Sequence, residues 1–225
     1  MAATLVVIGE LLSIIAGIFH PAREDPNNHP AVFAEYAASA DWTLIHLGQF
    51  VGMSVFLAGL VLLASAFDTD KNPPGPRLLM RLGSAAALVT LALYAILQAV
   101  DGVALKQAVD AWAHATEAEK PALLASAETL RWLEWGIRSY QSFMLGITLV
   151  TCGTGIVWAM RIPRAMGILM ALSGLAYTLQ GFLIGLEGFS NRNTVPQLGG
   201  YLLMFAWSIW LLIFAVLRRE RPTEA

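Results

Sequence analysis

Six long apolar stretches dominate this chain, and they limit its possible folds more than any other feature of the sequence. They cover residues 3–20, 43–67, 78–100, 137–160, 165–186 and 198–217 of the 225. A helix that crosses the hydrocarbon core of a bilayer needs about 20 mostly apolar residues. Charged residues make up 13% of the chain, whereas a soluble domain carries about 25%. The sequence therefore predicts an all-α integral membrane protein, a single transmembrane domain built as a six-helix bundle, and excludes a water-soluble globule.

The charges between the stretches predict how the bundle lies in the membrane. With a cytoplasmic N-terminus, the inner segments carry eight basic and four acidic residues, and the outer segments carry six basic and eleven acidic ones. Cytoplasmic loops are enriched in Lys and Arg, so we expect both termini inside and the protein in the bacterial cytoplasmic membrane. The chain has no basic block, which excludes a nucleic-acid-binding protein. Glu10 interrupts the first stretch and favours a retained span over a cleaved signal peptide.

Two outer connections, residues 21–42 and 101–130, are longer than a turn needs. Pro30 suits the first turn of a short helix in the first connection. In the second, Thr116 and Glu119 have the spacing of a capping box, and Pro121 suits the first turn of the helix that follows. We expect these helices to form a cap over the outer mouth of the bundle.

Each stretch carries polar residues at helical spacing, so they share one face of their helix. Because a polar group in hydrocarbon is expensive, these faces should turn toward one another or toward water. The sequence predicts an outward-opening polar pocket, floored near the bilayer midplane by Glu10, that binds a small ligand or cofactor; transport of that ligand is one form of this hypothesis. Its candidate ligand-binding residues are Glu10, His20, His46, Gln49, Gln98, Asp101, Arg138, Gln141, Gln180 and Glu187. Glu134 and Arg138, one turn apart, also predict an ion pair.

His20 ends the first span and His46 lies one turn into the second, so both imidazoles should lie at one depth beneath the outer interface. Two facing histidines on neighbouring helices can ligate haem, and imidazoles with a carboxylate also suit zinc or copper. A second hypothesis is therefore a redox module that holds haem b or a divalent metal between His20 and His46. Cys152 is the only cysteine, which excludes an intramolecular disulfide and a thiolate metal cluster.

Three carboxylates, Glu10, Asp101 and Glu187, are candidates for acid or base catalysis in an intramembrane enzyme. Carboxyl groups in an apolar cavity suit such work on a lipid or isoprenoid substrate. No phosphate-binding loop, dinucleotide fingerprint, His-Glu-x-x-His or nucleophile-elbow sequence indicates an enzyme class. An accessory subunit is the remaining alternative, with its polar faces serving a homo-oligomer or a partner in a membrane complex.

The first two spans carry a distinctive order of residues around their connection. The order runs His20-Pro21, then Asp25-Pro26-Asn27-Asn28-His29-Pro30-Ala31-Val32-Phe33-Ala34-Glu35-Tyr36, then Trp42, His46 and Gln49-Phe50. In these residues the chain resembles an uncharacterised family of small bacterial multi-spanning membrane proteins. The resemblance covers the first two spans well and the rest mainly in hydropathy. It implies a helical membrane fold and a role for the outer loop, and it brings no catalytic residue with it.

Overall fold

The computed structural model describes residues 1–21, 23–70 and 72–219, and this part of the chain contains helices and loops but no strand. The all-α prediction is thus confirmed. The helices are α1 (Ala2–Ile18), α2 (His29–Ala37), α3 (Trp42–Phe67), α4 (Pro74–Ala99), α5 (Lys106–Ala113), α6 (Lys120–Ala159), α7 (Arg164–Glu187) and α8 (Asn191–Arg219). A π-helical turn, Val100–Leu105, joins α4 to α5 without a break.

Five helices are long and apolar enough to cross a bilayer, which makes this a multi-pass membrane protein by helix length and hydropathy. They are α3, the continuous helix Pro74–Ala113, α6, α7 and α8. The first apolar stretch forms the 17-residue α1, which is about 25 Å long at about 1.5 Å per residue. A hydrocarbon core is about 30 Å thick. The structure therefore has five candidate spans of full length where the sequence predicted six.

The six apolar helices nevertheless form a closed ring in chain order. Contacts join α1 to α3, α3 to α4, α4 to α6, α6 to α7 and α7 to α8, and α8 returns to α1. Glycines bring the α6 and α7 backbones together. A Cβ added to Gly146 would lie 2.7 Å from the Gly174 carbonyl oxygen, and one added to Gly181 would lie 2.8 Å from that of Ser139. Small residues allow such close helix contact inside a membrane.

Two of the ring helices extend beyond the predicted spans. The predicted span 78–100 continues through the π-turn to Ala113, and the predicted span 137–160 belongs to a helix of 40 residues that begins at Lys120. The connection 101–130 is therefore built from helix extensions rather than from separate helices. Only half of the predicted capping box forms: the Glu119 Oε2 accepts hydrogen bonds from the Thr116 backbone N and hydroxyl at 3.2 and 2.7 Å, but α6 begins at Lys120 with Glu119 as its N-cap and has no side-chain cap.

The short helix α2 packs on these extensions at one end of the ring, called here the α2 end. A second apolar core fills this end, separate from the main core between the long helices, and it consists of Val32, Phe33, Tyr36, Trp42, Leu105, Val109 and Ala127. The Lys106 ammonium donates to the carbonyls of Tyr36 and Ala37 at 3.1 Å each, which satisfies the last turn of α2. His29 and Glu128 lie 3.1 Å apart and join α2 to α6.

Candidate metal centre

Three metal-ligating side chains meet at the α2 end of the bundle. His20, His46 and Asp101 each offer one ligand atom, and these atoms all lie within 4.8 Å of one another. The rings of His20 and His46 have centroids 5.2 Å apart, and the His46 Nε2 lies 3.0 Å from the Asp101 Oδ2. The sequence predicted that the two histidines would meet. It did not predict Asp101 as the third ligand, although Asp101 was a candidate for ligand binding and catalysis.

His46 is held in a fixed orientation by its own helix. Its Nδ1 lies 2.7 Å from the carbonyl oxygen of Trp42, one turn earlier in α3. Because a carbonyl only accepts hydrogen bonds, the proton of this contact sits on Nδ1. The other ring nitrogen therefore faces the carboxylate of Asp101 with either a lone pair or a second proton. A histidine that ligates a metal characteristically donates its other N–H in this way.

The π-turn brings Asp101 to His46. π-helical turns are rare and occur frequently at functional sites. Two side chains of α3 donate to carbonyls of this turn: the Trp42 indole N–H to Asp101 at 2.9 Å, and the Thr43 hydroxyl to Gly102 at 3.0 Å. A Cβ added to Gly102 would lie only 2.6 Å from the Cβ of His46. The glycine is therefore needed for the turn to approach His46.

His20 reaches the centre from beyond the end of α1. Its ring packs against Trp42 and Tyr36, with centroids 4.9 and 6.1 Å apart. Burial lowers the pKa of His20, which favours the neutral imidazole. A neutral imidazole is the form that ligates metals.

A buried ion pair supports the centre from α6. Arg131 and Glu134 are each about 3% exposed, and the guanidinium Nη1 lies 2.7 Å from the carboxylate Oε2. The guanidinium also lies over the ring of Tyr36, 5.4 Å from its centroid, and over that of Phe189 at 5.0 Å. The predicted ion pair of Glu134 with Arg138 is wrong, because Arg131 on the preceding turn takes the carboxylate.

Five polar side chains line the interior of the ring: Gln49, Gln98, Arg138, Gln141 and Gln180. The Gln98 amide N donates to the Gln49 amide O at 3.4 Å. Gln141 and Gln180 are about 1% exposed, and each has one amide atom without a hydrogen-bond partner. Arg138 is half-buried and lies within electrostatic range of three tyrosines, Tyr94, Tyr177 and Tyr201. Across the described residues, no carboxylate lies within salt-bridge distance of Arg138.

The two remaining candidates, Glu10 and Glu187, have hydrogen-bond and ion-pair partners other than the histidines. Glu10 is about 2% exposed and accepts a hydrogen bond of 2.6 Å from the Ser208 hydroxyl, which links α1 to α8. Its other oxygen has no hydrogen-bond partner. Glu187 ends α7 and contacts Ser190 at 2.8 Å and Arg192 at 3.6 Å. Its partners thus lie in the segment just after its own helix.

A cleft of about 250 Å³ opens beside the centre, between α3 and the end of α4. Its lining is Thr43, His46, Leu47, Phe50, Ala95, Gln98, Ala99, Gly102 and Val103. His46 therefore belongs both to the metal-ligand set and to the cleft wall. Glu10, the predicted floor of the polar pocket, does not line this cleft.

The centre suits a single ion better than a haem. Bis-histidine haem ligation places the flat macrocycle between two rings. Here the His20 ring stands edge-on to that of His46, and both rings pack against Trp42. These three side chains leave no planar gap between the histidines, so the haem b hypothesis does not fit this site.

No family model, curated protein or solved structure matches this chain. The resemblance to a family of bacterial membrane proteins is therefore not supported by a match.

Proposed function

We propose that this protein binds one divalent transition-metal ion, with Zn²⁺ the best fit, through His20, His46 and Asp101. One observation carries the proposal: three ligand atoms from three separate segments lie within 4.8 Å of one another. Imidazole nitrogen and carboxylate oxygen are ordinary zinc ligands, and catalytic zinc sites have three protein ligands and one open position. When bound at such a site, the ion supplies Lewis acidity and a water activated at neutral pH.

The competing explanation for the contact between His46 and Asp101 is a proton between them in place of a metal ion. Because the Nδ1–H donates to the Trp42 carbonyl, a second proton on Nε2 would make His46 a cation paired with Asp101. Both arrangements agree with the distance of 3.0 Å between the His46 Nε2 and the Asp101 Oδ2. They differ in the role of His20, because only the metal requires its ring nitrogen.

Metal content separates these explanations. The detergent-purified protein, loaded with Zn²⁺ and dialysed, should retain about one equivalent by elemental analysis, as the single three-ligand site requires. His20→Ala, His46→Ala and Asp101→Asn should each lose it. His114→Ala is the matched control, since His114 is exposed and its Nδ1 hydrogen-bonds to the Asp110 carbonyl of its own helix. A zinc-free wild type, or a His20→Ala variant that keeps its zinc, would overturn the proposal.

We further propose that α1 is a sixth span, that both termini are cytoplasmic, and that the α2 end forms the outer cap. Closure of the ring by contacts between α1 and α8 supports the sixth span. The excess of basic residues in the inner segments supports the orientation. Four of the charges behind it, Lys71, Glu220, Arg221 and Glu224, lie outside the described residues.

A second candidate function is an anion-binding pocket inside the ring, which is the predicted ligand pocket in a more specific form. Arg138 favours it, because an arginine among tyrosines with no salt-bridge carboxylate in the described part of the chain can receive an anionic ligand. Inorganic phosphate should raise the unfolding temperature of the purified protein more than chloride does at equal ionic strength. Arg138→Gln should remove that difference, whereas an equal response in both proteins would refute the pocket.

A further inference from the structure

We infer that the cleft between α3 and α4 receives the acyl chain of a membrane lipid, and that the ester at the end of that chain is hydrolysed beside His46, where an ion held by His20, His46 and Asp101 would activate the water. This inference rests on the proposed metal centre and names its substrate class.

The cleft wall suits hydrocarbon. Five of its nine lining residues have apolar side chains, namely Leu47, Phe50, Ala95, Ala99 and Val103. A sixth is Gly102, and none of the nine carries a fixed charge. The small side chains of Ala95 and Ala99 leave this space open, whereas larger side chains there would fill it. A chain of methylene groups placed there gains roughly 0.8 kcal/mol per buried CH₂ relative to water.

The cleft opens on a surface that lipid would cover. Leu44, Leu47 and Val103 are 67%, 55% and 44% exposed, and Ile96 is 50% exposed. All four belong to the helices Trp42–Phe67 and Pro74–Ala113, which are long and apolar enough to span the membrane. An acyl chain of a bilayer lipid can therefore enter sideways without crossing water.

The polar side of the cleft coincides with the centre. His46, a ligand of the proposed metal, lines the cleft. The other polar side chains of the cleft wall are Thr43 and Gln98. The Gln98 Oε1 is buried and has no hydrogen-bond partner. A lipid whose chain lies in the cleft would thus place its ester linkage, which directly follows the chain, beside His46 and Gln98.

The proposed reaction consumes one water for each ester. The water oxygen bonds to the carbonyl carbon, and the bond from that carbon to the alcohol oxygen breaks. One proton of the water goes to the departing alcohol oxygen. The products are a fatty acid and a lipid with one free hydroxyl, and no oxidant or reductant is needed.

Filling the cleft provides the test. The protein, loaded with Zn²⁺ in nanodiscs of phosphatidylcholine that carries a photoreactive group in one acyl chain, should become labelled on α3 or α4 and should release fatty acid. Ala95→Phe should retain zinc and lose both labelling and fatty-acid release by about tenfold or more, which corresponds to about 1.4 kcal/mol. Ala85→Phe is the matched control, because Ala85 is exposed on the same helix and does not line the cleft.

The outcomes separate this inference from the proposed metal centre. A zinc-free wild type overturns the centre. The acyl cleft is overturned if the wild type holds zinc and Ala95→Phe is as active and as strongly labelled as Ala85→Phe. Labelling of α3 or α4 without release of fatty acid by the zinc-loaded protein overturns the hydrolysis.

Discussion

At the scale of single residues, Gly102 controls how closely the π-turn approaches His46. An alanine there would place its Cβ 2.6 Å from the Cβ of His46, closer than real Cβ atoms come to their neighbours. We expect Gly102→Ala to destabilise the protein by about 1–3 kcal/mol, as overpacking does elsewhere, and to weaken zinc retention because Asp101 moves away from His46. Unfolding in detergent and elemental analysis measure the two effects.

Gly136→Ala serves as the control for that substitution. A Cβ added to Gly136 would meet no atom within 4 Å, and this residue also lies in a helix. The change should leave zinc content unaltered and stabilise α6 by roughly 0.5–1 kcal/mol through its helix propensity. Equal behaviour of the two variants would show that Gly102 has no special place in the centre.

The buried ion pair of Arg131 and Glu134 allows a second prediction at this scale. Removal of one partner from a buried pair leaves an uncompensated charge and costs about 3–5 kcal/mol. Arg131→Met and Glu134→Leu should therefore each destabilise the protein strongly in detergent unfolding. The loss of stability in the double variant should be smaller than the sum of the losses in the two single variants, because neither charge remains. Additive losses would mean that the side chains act independently.

At the scale of elements, close contact between α6 and α7 depends on Gly174. A Cβ at this position would lie 2.7 Å from the Gly146 carbonyl oxygen and 2.9 Å from the Val150 backbone N. Because both neighbours are backbone atoms, the helices would have to separate, and we expect Gly174→Ala to lower stability by about 1–3 kcal/mol. Gly199→Ala, where a Cβ meets nothing within 4 Å, should not. Thermal unfolding in detergent compares the two variants.

The connection between α3 and α4 should give the protein a small acid-sensitive component of stability. A hydrogen bond of 2.9 Å from the Arg81 guanidinium lowers the pKa of Asp68 below its ordinary value. The unfolded chain therefore binds this proton more readily, and stability rises with pH through this window. The contribution is complete above the unfolded pKa of about 3.9 and is lost as pH falls through the folded value. Asp68→Asn should flatten the acid limb of the unfolding profile, whereas Asp41→Asn, at an exposed residue, should not.

Hydropathy and spacing predict much of this architecture because a bilayer allows few alternatives. The apolar stretches mark the ring helices, and helical periodicity places Gln98 and Gln180 on the buried side. The depth argument brings His20 and His46 together. Each of these predictions needs only the pattern of one helix and the distance of a residue from the membrane interface, and both can be read from the sequence.

Features that depend on the register between helices could not be predicted in the same way. The π-turn adds a residue to one turn of the helix and thereby directs Asp101 toward His46, and no composition rule marks that insertion. Glu134 has two arginines at helical spacing, and the choice of Arg131 over Arg138 is made by Tyr36 and Phe189 on other elements. The glycine after Asp101 was the available signal for a close approach.

At the scale of the whole molecule, α1 decides whether the N-terminus and the proposed metal centre lie on opposite sides of the membrane. Its 17 residues are fewer than a typical span, yet α1 closes the ring and Glu10 on it bonds to Ser208 of α8. A helix on the membrane surface would expose one polar face to water, whereas the polar residue Glu10 faces the interior. We therefore expect α1 to span, with the shorter length matched by local thinning of the bilayer.

Single cysteines test this arrangement, since Cys152 is the only natural one and is buried. In a Cys152→Ala background, Ala2→Cys lies at the first residue of α1 and Asn27→Cys lies beyond its other end. An impermeant maleimide added to intact bacterial cells or spheroplasts should label Asn27→Cys but not Ala2→Cys until the membrane is opened. Protection of both, or labelling of both, would show that α1 does not span. The reverse pattern would retain six spans but place the centre on the cytoplasmic side, where a lipid substrate would have to come from the inner leaflet.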